Sequence, residues 1–71
     1  MKFLDKLDVA LRRGHIYARG DRVFVPRNID MRLVLPCHQS ASYKSFQRAM
    51  LRSGFVYSRS HNAWSMFRRQ A

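Results

Sequence analysis

The sequence predicts an α+β fold in which an antiparallel sheet of four or five strands carries two helices on one face, in the order α-β-β-β-α-β-β. Three observations predict this class. Apolar residues recur at helical spacing in two segments, short β-prone runs follow each segment, and Gly or Pro separates the runs. With 71 residues, we expect one small basic domain that burial alone leaves marginally stable, so a homodimer is compatible with its size.

Two amphipathic helices are predicted, one over residues 2–13 and one over residues 42–53. Gly14 and Gly54 end them, and a serine at position 40 or 42 is the expected N-cap of the second. The apolar positions are Phe3, Leu4, Leu7, Ala10 and Leu11 in the first helix and Tyr43, Phe46, Ala49 and Met50 in the second.

Five short strands complete the prediction. They span residues 15–19, 22–26, 31–35, 55–59 and 63–68. A tight Gly20-Asp21 turn joins the first two strands, Pro36 ends the third, and the segment Ser60-His61-Asn62 turns between the last two.

The segment 10–19 returns forty residues later as the segment 50–59, with five of its ten positions identical. This match predicts two αββ units, about 2–27 and 42–68, related by a pseudo-two-fold axis. Strand alternation then predicts that the tyrosine and arginine of each copy point to the open side of the sheet, while the aliphatic residues between them pack on the helices. These residues are Tyr17, Arg19, Tyr57 and Arg59 on the open side and Ile16, Ala18, Val56 and Ser58 on the helix side.

The chain is strongly basic. Its formal net charge is +10, from 14 Lys and Arg against four acidic residues, and all but three of the cations are arginines. The acidic residues all lie within residues 1–30, so nothing acidic follows. Because self-repulsion of this size opposes folding, the charge indicates a polyanionic partner, above all nucleic acid.

A surface of arginine and aromatic residues is the predicted site of contact. Guanidinium groups neutralise phosphates, and aromatic rings stack on bases. Tyr17, Arg19, Tyr57 and Arg59 are the first candidates, with Trp64 beside them. Further arginines, near helix ends, on polar helix faces and in the basic tail, are expected to follow the phosphate backbone; they are Arg12, Arg13, Arg48, Arg52, Arg68 and Arg69. The alternative is that the tyrosines belong to the core and the arginines form an ordinary solvated rim.

The leading hypothesis is a small, non-enzymatic nucleic-acid-binding protein of the cytoplasm, of the kind that phages or plasmids carry as a regulator or accessory factor. RNA and DNA both stay open as partners. One alternative is a protein inhibitor, such as an anti-CRISPR or a polymerase-binding phage factor, whose basic face meets an acidic protein surface. Another is a small RNase toxin in which His61 transfers a proton, although a histidine in a turn is more often merely polar.

No cofactor, metal or membrane partner is expected. His15, Cys37, His38 and His61 are of the right types to bind zinc, but only Cys37 and His38 are close in sequence, and adjacent ligands rarely share one tetrahedral site. A single cysteine cannot form an internal disulfide and is consistent with a reducing cytoplasm. No apolar run approaches the roughly 18 residues of a membrane span, and we expect no signal peptide.

Part of the chain resembles a known family. The run Met31-Arg32-Leu33-Val34-Leu35-Pro36, then the helix 43–52 and Gly54-Phe55-Val56, is similar to the first strand and helix of Cas2-type proteins and the related VapD-like virulence-associated toxins. The resemblance implies a ferredoxin-like fold and a nucleic-acid partner. The acidic residue that those families place at the end of this strand has no counterpart at Leu35-Pro36-Cys37, so the resemblance implies no catalytic residue. Residues 55–67 also look like the hairpin of HicA-type RNase toxins, where His61 would correspond to their histidine.

Overall fold

The computed structural model describes residues 2–36, 42–61 and 63–70. In these segments the elements are α1 (Phe3–Arg12), β1 (Tyr17–Arg19), β2 (Arg22–Pro26), a 3₁₀ helix (Met31–Leu33), α2 (Tyr43–Arg52), β3 (Phe55–Ser60) and β4 (Trp64–Arg69). The strands form one antiparallel sheet in the order β1-β2-β4-β3. The predicted α+β class, with two helices and an antiparallel sheet, is confirmed.

Both helices pack on the same face of the sheet, and Phe46 of α2 lies where they meet it. Its ring contacts Phe67 of β4 edge-on, with centroids 5.6 Å apart, and Phe3 of α1, with centroids 5.9 Å apart. The buried core contains Leu7, Ala10, Ile16, Val23, Val25, Val34, Leu35, Phe46, Ala49, Met50, Phe55 and Phe67. One cluster therefore joins both helices to one side of the sheet, and the other side is left uncovered by helices.

The ends of the helices follow from their capping residues. Ser42 is the N-cap of α2, and its hydroxyl oxygen accepts a hydrogen bond from the Ser45 backbone N–H at 3.1 Å, as predicted. The other predicted cap, Ser40, lies outside the described residues. Gly14 and Gly54 follow α1 and α2 with φ of +78° and +91°, the left-handed conformation that ends helices. After α1, the N–H groups of Gly14 and His15 donate to the carbonyl oxygens of Leu11 and Ala10, which satisfies two carbonyls at the helix end.

Residues 31–35 do not form the predicted third strand. The Asp30 carboxylate accepts a hydrogen bond from the Arg32 backbone N–H at 3.0 Å and starts the 3₁₀ helix instead. Val34 and Leu35 are then buried in the core without pairing to the sheet. A short apolar run signals burial but does not distinguish a strand from a buried turn, which is why the sequence pattern was misleading here.

The sheet has an internal symmetry. β2 pairs with β4 at its centre, and the order β1-β2-β4-β3 is unchanged when the two hairpins are exchanged. The forty-residue offset relates Phe24 to Trp64 and Met66 to Pro26. The observed pair Phe24–Met66 therefore corresponds to the pair Trp64–Pro26, which is also observed. The Val25–Ser65 pair therefore lies at the centre of the symmetry.

Replacing Gly54 with alanine tests the helix ending. Because no atom would lie within 4 Å of the added Cβ, the cost comes from the left-handed backbone alone. We expect Gly54→Ala to lower the free energy of unfolding by about 1 to 2 kcal/mol, measured by urea denaturation. Gly54→Asn should cost less because asparagine tolerates this conformation. Equal stability of the alanine variant and the wild type would contradict the assigned backbone.

Candidate nucleic-acid interface

The side of the sheet turned away from the helices is identified by register. Val23 and Val25 of β2 and Phe67 of β4 point into the core, so the residues that alternate with them point outwards. We call this outward surface the open face; its residues are Tyr17, Arg19, Arg22, Phe24, Pro26, Val56, Arg59, Trp64, Met66 and Arg68. It joins residues from all four strands.

Three arginines form a row across the open face. Arg19 pairs with Arg22 across β1 and β2, and Arg22 pairs with Arg68 across β2 and β4. All three side chains are exposed, and directly opposite residues have Cβ atoms only about 4.5 to 5.5 Å apart. Within the described residues the ion pairs are Arg12–Asp8 and Arg32–Asp30, neither on the open face. Asp21 lies between Arg19 and Arg22 in the turn but forms no ion pair with them, so the positive charge of the described open face is not paired with a carboxylate.

An aromatic cluster lies beside the arginine row. The rings of Tyr17 and Trp64 have centroids 5.4 Å apart and are tilted by 57°. With Phe24 and His61 they line a shallow cavity of about 450 Å³. Tyr17 is 55% exposed although its ring packs against Trp64. The cluster therefore offers aromatic surface to a ligand next to unpaired positive charge.

His61 lies at the rim of this cluster. The His61 backbone N–H donates to the Trp64 carbonyl oxygen at 2.7 Å, and the Arg27 guanidinium donates to the His61 carbonyl oxygen at 3.2 Å. These contacts hold the His61 backbone, and the residue is exposed. Together with Arg22 and Arg59, His61 lines a second cavity of about 230 Å³. The imidazole that the sequence indicated for acid–base chemistry is thus near two guanidinium groups.

Four of the predicted contact residues come together on the open face: Tyr17, Arg19, Arg59 and Arg68. Trp64, which was expected beside them, joins this group. Sequence reasoning missed Arg22, Phe24 and Met66 as site residues. The available signal was the alternation in β2, where Val23 and Val25 are typical core residues and leave Arg22 and Phe24 for the other side.

The predicted orientation of Tyr57 is wrong. Tyr57 pairs with the buried Phe67, and their rings meet edge-on with centroids 5.8 Å apart, so its ring is on the helix side. Val56, predicted on the helix side, pairs with Arg68 on the open face. A register shift between Tyr57 and Arg59 then returns Arg59 to the open face.

The remaining predicted arginines lie away from the open face. Arg12 and Arg13 are at the end of α1, where the Arg12 Nε donates to the Asp8 carboxylate at 3.0 Å. Arg48 and Arg52 are exposed on α2. The Arg69 guanidinium stacks over the Phe55 ring, 5.4 Å from its centroid, at the edge of the core. Any contact that these residues make with a ligand would be separate from the open face.

Arg32 is held by a neighbouring carboxylate. Its Nη2 donates to Asp30 Oδ2 at 2.9 Å, and its Nε donates to Asp30 Oδ1 at 3.1 Å. Hydrogen bonds from the Arg32 side chain, and then from its backbone N–H, lower the pKa of Asp30, and the same side-chain pairing raises the pKa of Arg32. This guanidinium therefore differs from those of the open face, which have no such partner.

The described residues contain no cluster of three His, Cys, Asp or Glu side chains that could hold a metal ion. Cys37 and His38, two of the zinc candidates, lie outside the described residues. In the described segments, no helix is long and apolar enough to cross a membrane.

Comparison with protein-family models, with curated proteins and with solved structures finds no match to this chain. The resemblances of residues 31–59 and 55–67 to toxin and Cas2-type families therefore stay predictions. Function has to be inferred from the open face itself.

The arginine row gives a prediction about stability. Like charges directly opposite each other destabilise a sheet, so Arg68→Gln should raise the free energy of unfolding by about 0.2 to 1 kcal/mol without ligand. Thermal unfolding at low salt measures the gain, and added salt should reduce it by screening. Arg12→Gln removes the same charge but breaks the ion pair with Asp8, so it should give no gain. Equal gains from both variants would mean that only net charge matters.

Proposed function

We propose that this chain is a small cytoplasmic nucleic-acid-binding protein, non-enzymatic and of the regulator or accessory type, and that the open face is its binding surface. The row Arg19–Arg22–Arg68 carries this proposal. In the described residues these three adjacent guanidinium groups form no ion pair with a carboxylate and repel one another, and a bound polyanion would offset that repulsion by neutralising their charge.

The chemistry of arginine favours phosphate as the anion. A guanidinium presents planar pairs of N–H donors that match phosphate oxygens, and binding releases the counterions condensed on the nucleic acid. Arg59 adds a fourth charge on the β3 side, paired with Met66. The surface therefore suits a chain of phosphates that crosses the strands better than it suits one isolated anion.

The aromatic cluster supports the same proposal. Tyr17 and Phe24 form the row next to Arg19 and Arg22. The two rows are two residues apart along each strand, which corresponds to about 7 Å. Aromatic and cationic side chains so arranged can meet bases and phosphates of one bound strand. An ordinary solvated rim of arginines would not require an exposed aromatic ring beside it.

Charge removal on the open face tests the proposal. The triple variant Arg19→Gln/Arg22→Gln/Arg68→Gln should weaken binding of fluorescently labelled RNA or DNA. It should also reduce the slope of log affinity against log salt by about 2, because each lost contact with a single strand contributes about 0.7. Fluorescence anisotropy over a salt series measures both quantities.

The matched control removes three charges elsewhere, as Arg13→Gln/Arg48→Gln/Arg52→Gln. This variant keeps the open face and should retain more of the affinity and of the salt slope. If both triple variants lose affinity equally, then binding depends on net charge and not on the open face. If the wild type binds no nucleic acid at low salt, the proposal is wrong.

A second candidate function is RNA cleavage, because His61 shares its cavity with Arg22 and Arg59. None of the residues that line this cavity is a carboxylate. Proton transfer in such a reaction would therefore depend on the His61 imidazole. The leading proposal requires no chemistry at this position.

Gel analysis of RNA after incubation separates the two functions. Under the leading proposal, RNA stays intact with the wild type and with His61→Ala. Cleavage by the wild type that His61→Ala abolishes, without loss of binding, would instead establish the nuclease. His15→Ala is the matched control, since His15 does not line this cavity.

A further inference from the structure

We infer that the open face binds single-stranded nucleic acid, and that an unpaired base stacks in the cavity formed by Tyr17, Phe24 and Trp64. This inference rests on the proposed function and specifies the form of its ligand. RNA and DNA strands share the required chemistry, a planar base and a flanking phosphate.

The geometry of the cluster provides room for a planar ring. The rings of Tyr17 and Trp64 contact each other, with centroids 5.4 Å apart and a tilt of 57°, so neither ring fully covers the face of the other, and a base would stack on the exposed aromatic surface rather than between the two rings. Phe24 lies on β2, between the strands that carry Tyr17 and Trp64. The resulting cavity has a volume of about 450 Å³, is open to solvent and is lined mainly by aromatic side chains. Such a surface binds the face of a base rather than its hydrogen-bonding edge.

The width of the open face argues against a duplex as its ligand. The major groove of B-DNA is about 12 Å wide and admits a helix or a two-stranded ribbon. Four strands at a spacing of about 4.8 Å extend about 14 Å between backbones alone, before side chains are counted. In a duplex the base faces are also covered by neighbouring base pairs. Only an unpaired base can therefore present its face to the cluster.

The arginines supply the flanking contacts. Arg22 lies two residues from Phe24 on β2, on the same side of the sheet, and Arg59 lies in the row of Phe24 and Met66. A base stacked on the cluster would therefore have guanidinium groups beside it to bind its phosphates. The same charges oppose a second copy of the chain as the occupant, because two open faces in contact would each bring the four arginines together.

Trp64 provides a direct probe because it is the only tryptophan in the chain. The full-length wild type is titrated with oligouridine, oligothymidine, a duplex of equal charge and polyglutamate, all at physiological ionic strength. We expect both single strands to change Trp64 fluorescence and to bind more tightly than the duplex, which should leave the fluorescence nearly unchanged. The single strand that binds more tightly identifies RNA or DNA as the preferred ligand.

Substitution of the exposed ring tests the stacking itself. Tyr17→Leu should weaken single-strand binding by about 5- to 150-fold, the range for loss of one stacked base, and should leave duplex binding nearly unchanged. Tyr57→Leu is the matched control, since it removes the corresponding ring of the second hairpin from the opposite side of the sheet. It should change single-strand affinity less than twofold once thermal unfolding shows that the variant is folded.

The results separate this inference from the proposed function. Equal, salt-sensitive binding of duplex and single strands, with no change in Trp64 fluorescence and no effect of Tyr17→Leu, would overturn stacking but keep phosphate binding. If polyglutamate binds as tightly as the nucleic acids, both the stacking and the proposed function are overturned, because that result would indicate an acidic protein as the partner of the open face. Trp64 fluorescence of the wild type decides the question even if a variant does not fold.

Discussion

The pairing of β2 with β4 is the contact on which the rest of the structure depends. Each αββ unit has a hairpin of its own, but two-stranded hairpins are marginally stable alone, and only the central pairing makes a four-stranded sheet with one apolar side. It places Val23 opposite Phe67, so that both helices cover a common core. The same register places Arg22 opposite Arg68. Core and charged surface are therefore produced by one set of backbone hydrogen bonds.

The two hairpins differ in a way that makes their faces unequal. In the first hairpin, β1 and β2 pair up to Arg19–Arg22, and Tyr17 lies opposite Phe24. In the second hairpin, the pairing of β3 and β4 ends at Ser60–Ser65, and Tyr57 lies opposite Phe67. Because side chains alternate along a strand, a register change of an odd number of residues moves a ring to the other side. The sequence repeat is thus compatible with one tyrosine on the open face and its counterpart on the helix side.

The open face stabilises this small domain less than a neutral or buried surface in its place would. A row of three arginines and a half-exposed tyrosine contribute less to the free fold than neutral or buried residues would. Elsewhere the chain behaves differently, since Arg12 and Arg32 have carboxylate partners and Arg69 covers a phenylalanine ring. This contrast between satisfied and unsatisfied guanidinium groups distinguishes the open face from a uniformly basic surface.

The sequence by itself determined the two helices, their glycine endings, both hairpins and the basic, acid-poor composition, because these depend on local backbone preference and periodicity. The tertiary structure decided three other features. Burial of Val34 and Leu35 replaced a predicted strand with a 3₁₀ turn, hairpin register reversed Tyr57 and Val56, and β2–β4 pairing added Arg22, Phe24 and Met66 to the site. The last two depend on which strand lies beside which and in what register, which local patterns do not encode. The first depends on burial of Val34 and Leu35 in a core shared with residues distant in sequence, together with the local Asp30–Arg32 hydrogen bond.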